Sequence, residues 1–284
     1  MMIDSSQLIE LRSRMMSIAY RMLGSVAEAE DVVQDAFLRF QTTSDVNAPE
    51  GFLVRVTTRL CIDRLRAARR REYLGPWVPE PVLTGPSSAN VALAESLTQA
   101  FLLMLEQLAP DERAAFLLRT VFDYDYPAIA DVINKSEVHV RQIVSRARQR
   151  LGRDEPRFRS SPSEADALAE KFVAACRAGD MQLIEQMFSA DVAVHSDGGG
   201  KVAAARVVIH GPSRAARFVA GVFRKRLRYC TLRPTTVNGE PGIVFLAEGK
   251  IVQVIALQVE QSVRAVYITL NPDKLARWSV AQID

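Results

Sequence analysis

The side chains of this 284-residue chain best equipped for chemistry are cationic, and their chemistry is recognition rather than catalysis. From Glu137 to Leu151 the sequence EVHVRQIVSRARQRL carries Arg141, Arg146, Arg148 and Arg150, interleaved with His139, Gln142 and Ser145. Guanidinium groups grip phosphates through paired N–H donors, and Arg, Gln and Ser also satisfy the hydrogen-bonding edges of bases. When such a helix enters a major groove, its early residues meet base edges while later arginines meet the backbone. His139, Arg141, Gln142 and Ser145 are therefore candidate base readers, and Arg146, Arg148 and Arg150 candidate positioning residues. An arginine-rich helix in isolation is as often a solvated surface. The weight falls on a second basic stretch: between Phe52 and Arg71, Arg55, Arg59, Arg64, Arg66, Arg69, Arg70 and Arg71 stand against one acid, Asp63.

Helical spacing must position both sets. In YPAIADVINKSEVHVRQIVSRARQRL, Tyr126 to Leu151, the residues Ile129, Val132 and Ile133 give a first helix an apolar side. Asn134-Lys135-Ser136 breaks the run, and Val140, Val144, Ala147 and Leu151 recur along a second helix. Ala130 leaves room for close packing, Ser136 suits an N-cap, and Glu137 lies in a first turn where the helix dipole favours an anion. This pattern predicts a helix-turn-helix with one buried stripe and one cationic face. Upstream, Pro49 suits a helix start, and Phe52, Val56, Leu60 and Leu65 mark the expected apolar side of the second basic helix. Ahead of it, AEAEDVVQDAFLRF opens with Glu28, Glu30 and Asp31 and is expected to bury Val33, Phe37 and Phe40. Gly24-Ser25 suits a helix end followed by a new N-cap.

The remainder changes character. Gly75-Pro76-Trp77-Val78-Pro79-Glu80-Pro81 is too proline-rich for a helix or central strand, and Gly85-Pro86-Ser87-Ser88 continues it, so an extended connection at a domain boundary is expected. After a connector from Pro156 to Ser163, helices are predicted from Glu164 to Arg177, Met181 to Phe188 and Pro212 to Arg228. Strands are predicted from Asp191 to His195, Val202 to His210, Thr231 to Val237, Ile243 to Leu246, Ile251 to Val259 and Val263 to Thr269. Asn238-Gly239 and Glu248-Gly249-Lys250 supply turns. Helices followed by a curved antiparallel sheet predict an α+β cone of the SnoaL or ketosteroid-isomerase type.

Taken in order, these pieces resemble an extracytoplasmic-function sigma factor of bacterial RNA polymerase, in the subgroup with a fused C-terminal SnoaL-like domain. The stretch AEDVVQDAFLRF is similar to the helix that such factors dock on the polymerase clamp, which implies polymerase contact for Glu30, Asp31, Gln34 and Asp35. FLVRVTTRLCIDRLR resembles the helix that engages the minus-10 element, implying DNA contact for Arg55, Arg59, Asp63, Arg64 and Arg66; the helix-turn-helix resembles the minus-35 reader. The subgroup's linker motif W-x-P-E-P is matched by Trp77, Pro79, Glu80 and Pro81. Its D-G-G-G-K and N-P-D-K-L motifs are matched by Asp197, Gly198, Gly199, Gly200 and Lys201, and by Asn271, Pro272, Asp273, Lys274 and Leu275. The chain departs from many relatives in having Arg59 for asparagine, Phe52 for tryptophan and Asn134 for glycine; asparagine tolerates a left-handed conformation, so the turn is retained. The resemblance implies that the three motifs make regulatory contacts and that the extension controls sigma activity in cis. On residue types alone, the glycines of the first motif permit close approach to the sigma domains, where Lys201 would pair with an acid. Asn271-Pro272-Asp273 would start a short last helix.

The expected architecture is multidomain: two all-α sigma domains, sigma2 and a helix-turn-helix sigma4, followed by an α+β SnoaL/NTF2-like cone. The boundaries read as sigma2 over 1–74, linker over 75–92, sigma4 over 93–153, connector over 154–163 and cone over 164–284. The expected partners are core RNA polymerase, promoter DNA at its minus-35 and minus-10 elements, and the chain's own SnoaL-like domain. Two other classes fit parts of the pattern: an isomerase or cyclase with a DNA-binding appendage, using His195 or Asp197 as general base, and a simple helix-turn-helix regulator. The acidic helix argues against the second, because a simple DNA binder has no need of it.

Composition sets outer limits. With 36 Lys and Arg against 33 Asp and Glu the net charge is +3, so the basic character is local and not that of a polycation. No apolar run approaches the ~20 residues of a membrane helix, and MMIDSSQLIE lacks a signal-peptide pattern, which gives a cytoplasmic expectation. Cys61, Cys176 and Cys230 are odd in number and widely spaced and are expected to pack as small hydrophobes. His139, His195 and His210 are scattered, so neither a metal site nor a cofactor is expected.

Overall fold

The computed structural model describes residues 4–44, 46–68, 73–84, 96–151 and 161–282. Arg69, Arg70 and Arg71, the stretch Gly85-Pro86-Ser87-Ser88, and residues 156–160 of the connector lie outside the described residues. Two compact units are present, one of Met1–Glu72 with Met104–Glu155, the other of Tyr73–Leu103 with Pro156–Asp284.

The first unit opens with α1 (Ser5–Leu23), α2 (Val26–Thr42) and α3 (Pro49–Ala68), which pack on one another. Gly24, at φ 64°, closes α1 with its N–H on the Tyr20 carbonyl, and Ser25 Oγ accepts the Glu28 N–H at 3.3 Å to start α2. In α2, Ala29, Val32, Val33 and Ala36 are buried, while Phe37 and Phe40 are half-buried. On α3 the buried side is Leu53, Val54, Thr57, Thr58, Cys61 and Ile62, rotated by about one residue from the expected Phe52, Val56, Leu60 and Leu65, which are half-buried. Two threonines and a cysteine, which an apolar pattern undercounts, are small enough for α1 and α2 to close on that side.

After α4 (Gln99–Leu105), the unit resumes with α5 (Pro110–Thr120), α6 (Tyr126–Ile133) and α7 (Glu137–Leu151). Asp125 caps α6 by accepting the Ala128 N–H at 2.9 Å, Asn134 turns the chain at φ 54° and ψ 55°, and Ser136 Oγ accepts the His139 N–H at 3.3 Å. Val140, Val144, Ala147 and Leu151 are buried as the spacing predicts, and Ile143 joins them. The turn chemistry thus sets α7 at a fixed angle to α6 with its cationic face outward.

The second unit holds α8 (Pro162–Ala178), α9 (Met181–Met187) and α10 (Pro212–Arg226) on one face of a six-stranded sheet. The strands are β1 (Phe188–Asp197), β2 (Ile209–His210), β3 (Thr231–Val237), β4 (Glu240–Ala247), β5 (Lys250–Val259) and β6 (Val263–Thr269), in the order β2-β1-β6-β5-β4-β3. Short α11 (Pro272–Leu275) follows β6. The core under the helices contains Phe172, Ile184, Phe223, Phe245, Ile255 and Leu257. The expected α+β cone is therefore present.

Two details differ from expectation. The sheet is mixed, not wholly antiparallel, because β1 and β6 pair in parallel: the chain crosses through α10 and the β3–β5 meander before β6 returns beside β1. Of the strand expected from Val202 to His210, only Ile209–His210 forms, paired to Ala193 and Val194. The N–H groups of Lys201 and Val202 both turn back to the Gly198 carbonyl, which holds the start of that segment in a tight turn.

Candidate nucleic-acid interface and linker dock

On α7, His139, Arg141, Gln142, Ser145, Arg146 and Arg148 are all exposed, and Arg141, Gln142, Ser145, Arg146 and Gln149 line one shallow open depression. The fold thus gathers Arg141, Gln142, Ser145 and Arg146 on one face and leaves His139 and Arg148 exposed to either side of it. Arg141 is held in place: its guanidinium lies 2.5 Å from Glu137 Oε1 and 4.1 Å from the Tyr126 ring centre. Arg150 belongs elsewhere, donating to Glu112 at 3.1 Å and to the Gln107 carbonyl at 3.3 Å, so it clips α7 onto α5.

The arginines of α3 are engaged within the unit. Arg55 pairs with Asp131 at 3.0 Å. Arg59 donates from Nε to the Val132 carbonyl at 2.8 Å and from Nη2 to the Asp131 carbonyl at 2.7 Å, satisfying the open C-terminal end of α6. Arg64 reaches Asp31 at 3.5 Å and Asp35 at 3.8 Å, while Arg66 reaches Asp63 at 3.6 Å and Asp111 at 2.8 Å. Two candidate polymerase-contact acids, Asp31 and Asp35, therefore share one candidate DNA-contact arginine, Arg64. Gln34 is exposed and Glu30 half-buried on the same helix. Buried Arg113, which the sequence reading missed, donates to the Met22 carbonyl at 2.8 Å and pairs with Glu106 at 2.7 Å, pinning α5 to the end of α1.

In the second unit the three short motifs meet. Asp197 is fully buried and its two oxygens accept four donors: Tyr73 O–H at 2.6 Å, Gly199 N–H at 2.9 Å, Val78 N–H at 3.0 Å and Lys274 Nζ at 2.7 Å. Its carbonyl accepts the Leu270 and Asn271 N–H groups. Lys274 also donates to the Val78 carbonyl, with its ammonium 4.5 Å from the Trp77 ring centre and 5.2 Å from that of Tyr73. Asn271 donates to the Tyr73 hydroxyl at 3.2 Å and caps α11 by accepting the Asp273 N–H at 3.1 Å. The glycines are required by proximity: a Cβ on Gly199 would overlap the Asn271 carboxamide, and one on Gly198 the Val202 carbonyl. Lys201 pairs with Asp273 at 2.6 Å, so its acid belongs to the other motif of the same unit and not to a sigma domain.

A second clasp lies at the β3–β4 turn. Asn238 Oδ1 accepts the Val82 N–H at 2.9 Å and Gln99 Nε2 at 3.0 Å, and its Nδ2 donates to the Leu97 carbonyl at 2.8 Å. Glu240 accepts the Gln99 N–H at 3.3 Å, and Trp278 Nε1 donates to the Pro81 carbonyl at 2.9 Å. Pro79, Glu80 and Pro81 are buried between the clasps, and Val78 packs with Val237, Val244, Val254 and Leu275 on the sheet face away from the helices. Tyr73, Gln99, Asn238, Glu240 and Trp278 were not predicted. Asn238-Gly239 was read for its turn conformation alone, and its side-chain donors were the available signal.

Burial sets the electrostatics. It raises the Glu240 carboxyl to about 8, raises the Tyr73 hydroxyl, aided by Asp197, and lowers His195 to about 4. His195 stacks on Tyr267 with ring centres 5.2 Å apart. An acid whose oxygens already accept four donors is a structural anion, so the general-base reading of Asp197 does not fit. The three cysteines are buried, with thiol values pushed up by burial, Cys176 to about 12. Among the described residues no group of three His, Cys, Asp or Glu is placed to hold a metal ion, and no helix is long and apolar enough to cross a membrane.

A helix-turn-helix packed with a second basic helix, in a chain whose proline-rich linker is locked onto an α+β cone, defines a multidomain DNA-binding transcription protein. Residues 8–71 match the family Sigma-70 region 2, and residues 98–151 match Sigma-70, region 4. The chain is 36% identical over 230 residues to the ECF RNA polymerase sigma factor SigJ of Mycobacterium tuberculosis (strain ATCC 25618 / H37Rv), covering 78% of this chain and 74% of that protein. It is 27% identical over 273 residues to the probable ECF RNA polymerase sigma factor SigI of Mycobacterium tuberculosis (strain CDC 1551 / Oshkosh), covering 93% and 92%. The crystal structure of Mycobacterium tuberculosis SigJ aligns with a TM-score of 0.79 at 31% identity over 96% of this chain and 98% of that one. The chain belongs to the extracytoplasmic-function sigma factors of RNA polymerase.

Proposed function

We propose that this chain binds core RNA polymerase in the cytoplasm and directs it to promoters, and that its C-terminal cone controls that activity in cis without catalysing a reaction. The observation that carries the reading is the likeness to SigJ across nearly the whole chain, cone included. In this reading sigma2 spans 1–74 and sigma4 93–153, joined by the 75–92 linker; a 154–163 connector leads to the cone at 164–284. Glu30, Asp31, Gln34 and Asp35 contact polymerase. His139, Arg141, Gln142 and Ser145 read the minus-35 element, with Arg146 and Arg148 on phosphates, and Arg55, Arg59, Asp63, Arg64 and Arg66 serve the minus-10 element. Arg55 and Arg59 then exchange their partners on α6 for DNA, so promoter engagement frees the C-terminal end of that helix. The linker dock supports cis control, because the segment between the two sigma domains is hydrogen-bonded to the cone at Val78, Pro81 and Val82. The test is co-elution of the full chain with purified core polymerase, beside a Glu30→Gln/Asp31→Asn/Asp35→Asn variant whose fold is checked by circular dichroism. Retention of the wild type and loss of the variant is expected; a wild type that fails to co-elute rejects the reading.

A further inference from the structure

We propose that the C-terminal unit carries a nucleic-acid-binding surface of its own, on the solvent face of α10 and the turn that follows it. From Gly198 to Gly239 the chain has no Asp or Glu, yet contains Lys201, Arg206, Arg214, Arg217, Arg224, Lys225, Arg226, Arg228 and Arg233. All 33 acids of an almost charge-balanced chain lie outside this segment.

Helical geometry gathers the cations. Ala215, Ala216, Val219, Ala220 and Phe223 bury one side of α10. At about 100° per residue, Arg214, Arg217, Gly221, Arg224 and Lys225 fall on the opposite arc, and Arg228 continues it into the turn. The five cations of this stripe are exposed, and among the described residues none has an ion-pair partner. From Arg214 to Arg228 the stripe runs about 20 Å at 1.5 Å per residue, along which a DNA strand presents a phosphate every ~3.4 Å of axis.

Stability does not account for the pattern. Cations at the last turn of α10 suit the helix dipole, but Arg214 and Arg217 stand near its N-terminus, where the dipole disfavours them; Glu185 of α9 accepts the Ser213 hydroxyl there and pairs with neither arginine. Gly221, mid-stripe, costs a helix about 1 kcal/mol relative to alanine. A Cβ there would meet nothing within 4 Å, so the core does not demand glycine; its absence of side chain leaves room for a backbone to approach. Tyr229, 51% exposed, lies beside the stripe with Arg226 5.7 Å from its ring centre, an aromatic set among cations as nucleic-acid surfaces use them. A protein partner would call for an apolar centre and mixed polar rim, whereas this face is uniformly cationic.

The experiment is fluorescence anisotropy of the full-length protein with a labelled duplex of about 30 base pairs lacking promoter elements, across a salt series. An Arg146→Ala/Arg148→Ala background lowers binding through α7, and Arg217→Ala/Arg224→Ala/Arg228→Ala is added to it. The added changes should weaken binding at least tenfold at low salt and reduce the slope of log K against log salt by up to about 3, since each phosphate no longer neutralised removes about 0.9. Arg217→Lys/Arg224→Lys/Arg228→Lys in the same background should restore most of both. Unchanged affinity and slope overturn the proposal. So does a variant that keeps its DNA affinity but fails to co-elute with core polymerase, which would make the occupant an acidic protein surface. Retention of the wild type on polymerase reads the sigma-factor assignment separately, so the two ideas fail independently.

Discussion

Asp197 shows how one side chain can organise a unit. A carboxylate taken fully out of water is costly unless it is paired and hydrogen-bonded throughout, and here an ammonium, a phenol and two backbone N–H groups meet that demand. The donors come from Tyr73 just ahead of the linker, from the linker itself and from both short motifs of the cone, so satisfying the charge is the same event as docking the linker. Glu240, at the second clasp, behaves differently: its carboxyl accepts the Gln99 N–H but has no ion-pair partner among the described residues, and burial raises it to about 8 from 4.5. A carboxyl raised on folding favours the folded state fully below its unfolded value and loses that contribution as pH climbs through the folded value. The melting temperature should therefore fall between pH 6 and pH 9, and Glu240→Gln should flatten that fall. Equal slopes for the two proteins would mean the pH dependence arises elsewhere.

At the scale of elements, the pairing of α3 with α6 carries the most consequence. Arg59 uses a long, cationic side chain to cap the C-terminal carbonyls of a helix on another part of the unit, and Arg55 reinforces it through Asp131. Hydrogen bonds from a charged donor are stronger than neutral ones, but these are partly exposed, so the contribution is about 1 kcal/mol. Arg59→Ala should speed amide exchange at Asn134 and Lys135, whose N–H groups bond to the Ala130 carbonyl at the same helix end. Hydrogen-exchange mass spectrometry over Tyr126 to His139 reads this directly, and unchanged exchange would show that the cap does not hold the turn. Periodicity predicted that α3 would be amphipathic yet placed its buried stripe about one residue off. An apolar count ignores threonines that pack, and only the helices packed around α3 made Thr57 and Thr58 interior.

At the scale of the molecule, the linker is part of the cone. It covers the sheet face opposite the helices, with Val78 in that core and Trp77 beside Lys274, so the second unit is assembled from two separated stretches of chain. Trp77→Ala removes a cation–aromatic interaction of about 1 kcal/mol together with its packing. Limited proteolysis should then cut between Tyr73 and Thr84 faster than in the wild type; equal rates would mean the polar clasps suffice without the ring. What the sequence by itself determined here was local: the cap and break residues of the helix-turn-helix, the arginine face of α7, the β-meander with its Asn-Gly and Glu-Gly turns, and motifs specific enough to name a family. Each depends on chemistry within a few residues along the chain. Tertiary structure alone decided that Lys201 pairs with Asp273, that Arg55 and Arg59 hold α6, that β6 returns parallel to β1, and that Asn238 and Glu240 grip a segment some 140 residues earlier in the chain. Those partners are set by which buried groups are left needing a donor or acceptor once the chain has closed on itself, a demand that exists only in three dimensions.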